Sequence, residues 1–286
     1  MHDLGPIGLF RRSTPWENDR ESAQELEKLG FSALWLGGSP PGDLHHSESL
    51  IAATDRLIVG TSIVNIWKDP AGVVAESAGR INARYPRRFV LGLGIGHAPS
   101  VGPAYRRPLR KLGEYLDELD AASPPVPVEG RAIAALGPRA LELARDRSLG
   151  TLPYWTTPAH TRTAREILGP DRLVAPEQKV VLEEDPSKAR AAGREALGHY
   201  LGLPNYVNNW RRLGFDDADF ENGGSDRIID GLVAWGSPEQ IRGRVQEHLD
   251  AGADHVALQL LTSEPDRLPL DQLRTLAGIV RGIAAR

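Results

Sequence analysis

The run LIVGTSIVNI (Leu57–Ile66) places aliphatic residues at most of its positions. A short and nearly continuous apolar run of this kind is typical of a β-strand that is buried on both faces. Asp69-Pro70 follows, where the aspartate suits a helix cap and the proline suits the first helical position, and we expect a helix to about Arg84. A second run, RFVLGL (Arg88–Leu93), predicts the next strand. Two such strands joined by a helix predict parallel pairing with a right-handed crossover.

The same alternation continues in both directions along the chain. We expect strands at 4–10, 31–36, 57–66, 88–93, 132–136, 151–155, 173–182 and 256–261. We expect helices at 16–29, 69–84, 109–122, 138–146, 158–168, from Asp185-Pro186, and at 270–284. Eight strand-then-helix units in 286 residues predict an α/β fold of the (β/α)8 TIM barrel type. Residues 203–236 interrupt the alternation and are interpreted as an insertion before the last strand, so residues 1–286 are expected to form one domain.

Composition limits the possible functions. Apolar residues make up 41% of the chain and charged residues 25%, which is ordinary for a globular protein. The net charge of -4 would attract neither nucleic acid nor an anionic membrane, and no apolar run approaches the ~18 residues that span a bilayer. The N-terminus lacks a basic-then-apolar leader, so a cytoplasmic protein is expected. The chain has no cysteine, which excludes disulfides, thiolate nucleophiles and cysteine zinc sites.

Several common catalytic motifs are missing. The sequence has neither a G-x-S-x-G elbow nor a GxxxxGK[ST] loop, which argues against a serine hydrolase and a P-loop nucleotidase. The histidines show no HExxH pattern, so no metal site is expected. His45-His46, beside the acidic Asp43 and Glu48, is interpreted as part of a solvated loop.

A glycine cluster ends the strand that begins at Arg88. Gly92, Gly94 and Gly96 do not match the dinucleotide-binding fingerprint, because the third glycine comes too early and Ala98-Pro99 follows. At the carboxyl end of a barrel strand, glycines would let a planar ligand lie directly on the backbone. They would also serve a tight turn, and the sequence leaves both interpretations open.

Two further segments carry polar groups at predicted strand ends. His97 directly follows the glycine cluster, where barrel enzymes keep catalytic groups, so it is a candidate acid/base, although a structural histidine is the alternative. Thr156 and Thr157 lie where a strand gives way to a helix. Their hydroxyls and backbone N–H groups suit a phosphate, and the alternative is a simple helix cap.

The ordered segments resemble the luciferase-like flavin oxidoreductases over essentially the whole chain. The similar segments are GFSALWLGG, GTSIVNIW, RFVLGLGIGHAP and AALGPRALELARDRSLG, at predicted strand ends. The later segments LPNYVNNWRRLGF and AGADHVALQLL are similar to the branch that uses the deazaflavin coenzyme F420 in place of FMN. No single motif is diagnostic, but their order and spacing together are specific.

The resemblance implies that the ring of F420, or alternatively of FMN, lies across the carboxyl-terminal mouth of a barrel. In this family the third strand carries a non-proline cis peptide bond, and the matching bond is Ser62-Ile63. Asn65 matches the contact to the polar edge of the ring. The positions that the resemblance implies for cofactor binding are Gly38, Ser39, Ser62, Ile63, Asn65, Ile95, Gly96, Ser100, Gly137, Tyr154, Trp155, Thr156 and Thr157.

The chain departs from the family at one position that matters for the substrate. Sugar-phosphate dehydrogenases of the family carry an Asp–His pair after the second strand, with the histidine as acid/base, and this chain has Gly38-Ser39. A sugar-phosphate substrate is therefore doubtful. Those enzymes also carry glutamate where His97 stands, so the chemistry rests either on His97 or on hydride transfer with a proton from solvent. Phe10, Trp16 and Trp67 are the expected substrate-facing residues.

These observations predict an F420-dependent oxidoreductase that transfers a hydride between the cofactor and a small or medium organic substrate. Two alternatives stay open. The first is an FMN-dependent monooxygenase on the same barrel, and the second is a flavin-binding homologue without turnover. The resemblance also implies a homodimer, and no nucleic-acid or membrane partner is expected.

Overall fold

The computed structural model describes residues 3–12, 16–262 and 267–284. Its strands are β1 Ile7–Arg11, β2 Ala33–Gly37, β3 Ile58–Ser62, β4 Val64–Asn65, β5 Phe89–Gly94, β6 Arg131–Ile133, β7 Gly150–Thr151, β8 Leu173–Val174, β9 Glu177–Val181, β10 Val233–Trp235 and β11 Val256–Leu260. Its α-helices are α1 Asp19–Leu29, α2 His45–Ala52, α3 Ala71–Arg84, α4 Ala98–Val101, α5 Pro108–Ala121, α6 Pro138–Arg147, α7 Pro158–Leu168, α8 Pro186–Leu197, α9 Pro204–Arg212, α10 Asp226–Leu232, α11 Pro238–Asp250 and α12 Leu270–Ala284. Short 3-10 helices lie at Gly102–Ala104, Val128–Gly130, Tyr200–Gly202 and Asp217–Phe220.

All strand pairs between described residues are parallel, in the order β10-β9-β11-β1-β2-β3-β5-β6-β7-β8, with β4 also on β5. β8 bonds to β7 at one side of the sheet, whereas β9, only two residues further along the chain, bonds to β11. Because one short segment bonds to strands that lie far apart in the order, the sheet must curl. The α/β class and the parallel sheet are therefore confirmed.

Alternate residues of a strand pack into two different hydrophobic cores, one between the sheet and the helices and one inside the curl of the sheet. On β2, Leu34 and Leu36 pack outward among the helices, while Ala33 and Trp35 pack inside the curl of the sheet. Burial on both faces explains why the sequence shows continuous apolar runs and no alternation with polar residues. Inside the curl, Trp35 is 1% exposed, and its indole N–H donates to His255 Nε2 at 3.0 Å.

A third core holds the residues between β9 and β11 onto the sheet. Trp210 and Tyr206 of α9 pack with Trp155 and Val181, which come from the strand ends. The Trp210 indole N–H donates to the Trp155 carbonyl oxygen at 2.9 Å. This part of the chain therefore covers the carboxyl ends of the strands.

Three local expectations were wrong. Residues 173–182 form two strands, because Pro176 lies between β8 and β9 and lacks the N–H that a continuous ladder requires. Residues 203–236 contain a strand, β10, which pairs with β9. The helix after β4 begins at Ala71 with Pro70 as its cap, one residue later than the sequence indicated.

His45-His46 begins helix α2 and does not lie in a loop. The helix forms because Leu50 and Ile51 are fully buried on its inner face. His46 Nε2 lies 2.5 Å from Asp19 Oδ2 and 3.1 Å from Arg11 Nη2, so it joins α2 to β1 and α1. Among the described residues, no helix has the length and apolar character needed to cross a membrane.

Candidate active site

A cavity of about 650 Å³ opens at the carboxyl ends of the strands. Its size lies within the ~300–1,000 Å³ typical of small-molecule sites, and this end of a parallel barrel is where ligands bind. Residues from the ends of β1 to β7 form one wall, and residues 199–212 form the other. The lining residues are Phe10, Arg12, Gly38, Ser39, Ser62, Ile63, Asn65, Gly94, Ile95, Gly96, His97, Ser100, Leu109, Ala134, Ala135, Leu136, Gly137, Pro138, Arg139, Ala140, Leu152, Tyr154, His199, Tyr200, Asn205, Tyr206, Asn208 and Arg212.

The structure brings most of the predicted site residues together around this cavity. Those that line it are Phe10, Gly38, Ser39, Ser62, Ile63, Asn65, Ile95, Gly96, His97, Ser100, Gly137 and Tyr154. They come from separate strand ends, as expected if parallel strands place their carboxyl ends at one edge. Trp16, Trp67, Trp155, Thr156 and Thr157 lie outside the lining.

The glycine cluster is required by its protein neighbours. A Cβ at Gly94 would lie 2.6 Å from Ile63 Cγ1, and a Cβ at Gly96 would lie 2.4 Å from Asn65 Nδ2. Gly96 also has a φ of +57°, which strongly favours glycine. Both glycines line the cavity, and Ile63 and Asn65 leave no space beside them for a Cβ. The Ser62-Ile63 peptide bond is cis, as the resemblance implied.

His97 lies on the cavity wall next to tyrosines. Its ring centroid lies 5.7 Å from that of Tyr206 and 6.4 Å from that of Tyr200. Its Nδ1 atom is buried and has no hydrogen-bond partner within the described ranges. Burial lowers the pKa of His97, and the nearby His199 lowers it further. The imidazole is therefore neutral at pH 7 and can accept a proton.

Arginines line the cavity. Arg12, Arg139 and Arg212 contribute to the lining, and no aspartate or glutamate does so among the described residues, 3–12, 16–262 and 267–284. None of these arginines forms an ion pair with a carboxylate in the described part of the chain. Arg212 Nη2 lies 3.6 Å from the point where a Cβ would stand on Gly137, at the amino end of α6. This end of the cavity therefore favours an anionic group.

Thr156 and Thr157 do not reach the cavity with their side chains. Both residues are buried, at 1% and 8% exposure. Thr157 caps α7, because its hydroxyl oxygen accepts from the His160 N–H at 3.4 Å. Of the two interpretations left open, the helix cap therefore describes Thr157. The Thr156 hydroxyl is buried without a hydrogen-bond partner among the described residues.

The two tryptophans expected to face the substrate, Trp16 and Trp67, do not line the cavity. Trp16 is 6% exposed and packs beneath the Arg11 guanidinium, whose Cζ lies 4.6 Å from the centroid of the Trp16 ring. The Trp67 indole N–H donates to the Ile95 carbonyl oxygen at 2.9 Å. Trp67 thereby fixes the backbone segment that faces the cavity, whereas Trp16 belongs to the core.

The sequence analysis missed the wall that residues 199–212 supply. His199, Tyr200, Asn205, Tyr206 and Asn208 all line the cavity. The segment LPNYVNNWRRLGF was noted only as a resemblance, and its polar and aromatic residues gave no local sign of their orientation. Within the described residues, no group of three or more His, Cys, Asp or Glu side chains could hold a metal ion.

Comparison with known proteins agrees with this geometry. Residues 6–132 match the family described as luciferase-like monooxygenase. A 5,10-methylenetetrahydromethanopterin reductase from Methanolobus tindarius is 24% identical over an alignment that covers 82% of this chain and 87% of that protein. The resemblance inferred from the sequence is confirmed, and so is the expectation of an enzyme.

Two solved structures share the fold. An F420-dependent secondary alcohol dehydrogenase, solved with an F420-acetone adduct, superposes with a TM-score of 0.73 at 16% identity and covers 100% of both chains. The oxygenating constituent of 3,6-diketocamphane monooxygenase from Pseudomonas putida, solved with FMN, has a TM-score of 0.67 at 14% identity and covers 99% of this chain and 98% of its own.

Proposed function

We propose that this enzyme, whose residues 6–132 match the family described as luciferase-like monooxygenase, uses coenzyme F420 to transfer a hydride to or from a small or medium organic substrate. The observation that carries the proposal is the cavity, which combines a backbone floor with a wall that carries three arginines and, in the described part of the chain, no carboxylate. The reductase and the alcohol dehydrogenase described above support the choice of F420.

The residues of the cavity fit such a cofactor. Ile63, Asn65 and Gly96 would hold its ring, since they line the cavity together at neighbouring strand ends. Arg139 and Arg212 would hold its phosphate beside the amino end of α6. When bound, F420 supplies a carbon that accepts or donates a hydride, and the protein contributes orientation and a dry pocket.

The chain itself would position the substrate and move one proton. Phe10, Tyr154 and Tyr206 exclude water from the cavity wall. His97 is neutral at pH 7, so it would take a proton from a substrate hydroxyl as the hydride leaves, and return that proton in the reverse direction. The absence of an Asp–His pair at Gly38-Ser39 leaves His97 as the proposed acid/base.

The finer architecture is also proposed. We infer one (β/α)8 barrel domain over residues 1–286, in which the strand pairs β3–β4 and β8–β9 each take the place of one barrel strand and residues 203–236 are an insertion before the last strand. From the resemblance we further propose a cytoplasmic homodimer.

A binding experiment tests the cofactor. The purified protein is titrated separately with F420 and FMN, and tryptophan fluorescence reports binding. We expect tighter binding of F420, while tighter binding of FMN would favour the alternative of an FMN-dependent monooxygenase, which the second structural neighbour supports. If neither cofactor binds, the proposal is wrong.

A pair of neighbouring arginines provides a matched control. Arg212→Gln removes a charged donor from the cavity and should weaken F420 binding by about 1.5–3 kcal/mol. Arg211→Gln makes the same change one residue away, where the side chain pairs with Asp217 and does not line the cavity, so binding should not change. Equal effects of the two substitutions would contradict the proposed phosphate contact. Binding without turnover of any alcohol or carbonyl substrate would favour the non-catalytic homologue.

A further inference from the structure

An ion pair lies buried behind the cavity wall. Lys179 Nζ is 2.7 Å from Glu177 Oε2, and the side chains are 2% and 3% exposed. Because the two residues lie two positions apart on β9, they share one face of the strand. The core inside the curl is mostly apolar and aromatic, and its buried polar side chains His255 and Gln259 are neutral hydrogen-bond partners of Trp35 and Tyr154, so this charged pair stands apart.

The Lys179 ammonium also contacts two aromatic rings. Its Nζ lies 3.7 Å from the centroid of the Tyr154 ring and 4.1 Å from that of Trp155, within the range of a cation–π interaction. Tyr154 lines the cavity. Trp155 has a φ of +55°, which is uncommon for a bulky residue and persists only where neighbours enforce it.

Stability alone does not account for this pair. Removing two charges from water costs more than a close contact returns unless hydrogen bonds satisfy the remaining atoms. In the described structure, the Glu177 carboxylate has no hydrogen-bond partner besides Lys179 and the Trp155 backbone N–H, and Lys179 Nζ has none besides Glu177. Burial lowers the pKa of Lys179 to about 8 and raises that of Glu177. An apolar pair of similar volume would stabilise the sheet at least as well.

Contacts lead from the pair to the opposite wall of the cavity. The Tyr154 hydroxyl donates to Gln259 Oε1 at 3.1 Å and accepts from the Tyr200 hydroxyl at 3.4 Å. Tyr200 packs on Tyr206 at 5.1 Å between ring centroids, and Tyr206 contacts His97. Tyr154 therefore connects the buried cation to the aromatic wall that surrounds His97.

We propose that Lys179, held in place by Glu177, is a positioning residue that fixes the Tyr154 and Trp155 rings and thereby the tyrosine wall against which the bound molecule packs. The inference rests on the proposed function only in taking this cavity as the binding site. Lys179 itself does not line the cavity, so it acts through Tyr154.

The test removes both charges together, so that no lone buried charge is left to unfold the protein. In Glu177→Gln/Lys179→Met, we expect a melting temperature no lower than that of the wild type. We also expect a weaker near-ultraviolet circular dichroism signal in the unliganded protein, because the Tyr154 and Trp155 rings lose their fixed positions, and about tenfold weaker binding of F420 or FMN, whichever binds. Tyr154→Phe keeps the ring over Lys179 but deletes the hydroxyl, so it should weaken binding while retaining most of the dichroism.

A control on the same strand separates positioning from general stability. Gln178 lies on the opposite face of β9, where its Oε1 is 2.9 Å from His248 Nε2 and neither residue lines the cavity. Gln178→Leu/His248→Leu should change the melting temperature but neither the dichroism nor the affinity. Wild-type dichroism and affinity in the Glu177→Gln/Lys179→Met variant would overturn the proposal. The dichroism is measured without cofactor, so it remains decisive even if neither cofactor binds and the proposed function fails.

Discussion

Gly94→Ala tests whether the backbone floor of the cavity depends on its neighbour Ile63. The new Cβ would lie 2.6 Å from Ile63 Cγ1 and 2.9 Å from Cδ1. Carbon atoms in favourable contact are about 3.5–4.0 Å apart, so one of the two side chains must move by about 1 Å. Overpacking of this size typically costs about 1–3 kcal/mol. Because Ile63 borders the cavity, we expect it to move into that space, so that cofactor affinity also falls by about tenfold.

The assays are urea unfolding and fluorescence titration with F420 and FMN, applied to a double-mutant cycle. Ile63→Ala removes the atoms that collide with the new Cβ. The double variant Gly94→Ala/Ile63→Ala should therefore be more stable than the sum of the two single effects predicts, by about 1 kcal/mol or more. Gly113→Ala in α5 is the control, because no atom lies within 4 Å of its new Cβ, and it should stabilise the helix by roughly 0.5–1 kcal/mol without changing affinity.

Additive effects within about 0.5 kcal/mol would refute this reasoning, because they would show that the methyl group added at position 94 and the Ile63 side chain do not compete for the same space. Unchanged affinity in Gly94→Ala would also refute it, since the displaced Ile63 side chain would then not enter the cavity.

Other regions give further predictions. His97→Asn should lower turnover by about 10²–10⁴-fold with little change in cofactor affinity. It should also remove the acidic limb of the pH profile of kcat, which is expected below the ordinary histidine pKa because burial lowers the pKa of His97. A pH profile of unchanged form would exclude proton transfer by His97. Gly137→Ala should change the free energy of unfolding by less than about 1 kcal/mol, because the φ of Gly137 is -86° and the atom nearest to the new Cβ lies 3.6 Å away. The substitution should nevertheless weaken cofactor binding in a titration. Wild-type affinity would place the phosphate elsewhere. Burial lowers the pKa of His160 and His255 to about 4 and that of His248 to about 3, whereas the unfolded chain takes up these protons near 6.5. The contribution of these histidines to the free energy of unfolding is therefore complete above pH 6.5. The free energy of unfolding should decrease as the pH drops towards 4, by up to about 1.4 kcal/mol per pH unit for each histidine. Urea midpoints that do not change between pH 7 and 5 would contradict this.

Helices with strong local signals could be predicted from the sequence. Helix α7 spans Pro158–Leu168, the range expected, because Thr157 caps it, Pro158 occupies its first position and Gly169 follows its end. Helix α2 was missed since it begins after Leu44, which is left-handed and offers no side-chain cap. Its stability comes from the burial of Leu50 and Ile51, which depends on tertiary packing.

The candidate site likewise contains some residues that could be predicted from the sequence and others that could not. Residues at the ends of consecutive strands, such as Asn65 and Gly96, could be predicted because parallel strands bring their carboxyl ends together. Tyr200 and Tyr206 could not, since their place on the cavity wall depends on how Trp210 packs against Trp155. Lys179 lies within residues 173–182, which predicted only a strand.

The two walls of the cavity differ in chemistry, and this difference has a functional consequence. The strand ends contribute small residues and backbone, whose positions are fixed by contacts such as those of Gly94 with Ile63 and of Gly96 with Asn65. Residues 199–212 contribute rings, amides and a guanidinium, which are held by packing on top of the sheet and by hydrogen bonds such as that from Trp210 to Trp155. A flat ligand requires the first kind of surface, whereas discrimination among substrates requires the second kind. Substitutions at the strand ends should therefore affect cofactor binding first. Substitutions at Tyr200 or Tyr206 should chiefly change which substrate is accepted, with a smaller loss of cofactor affinity.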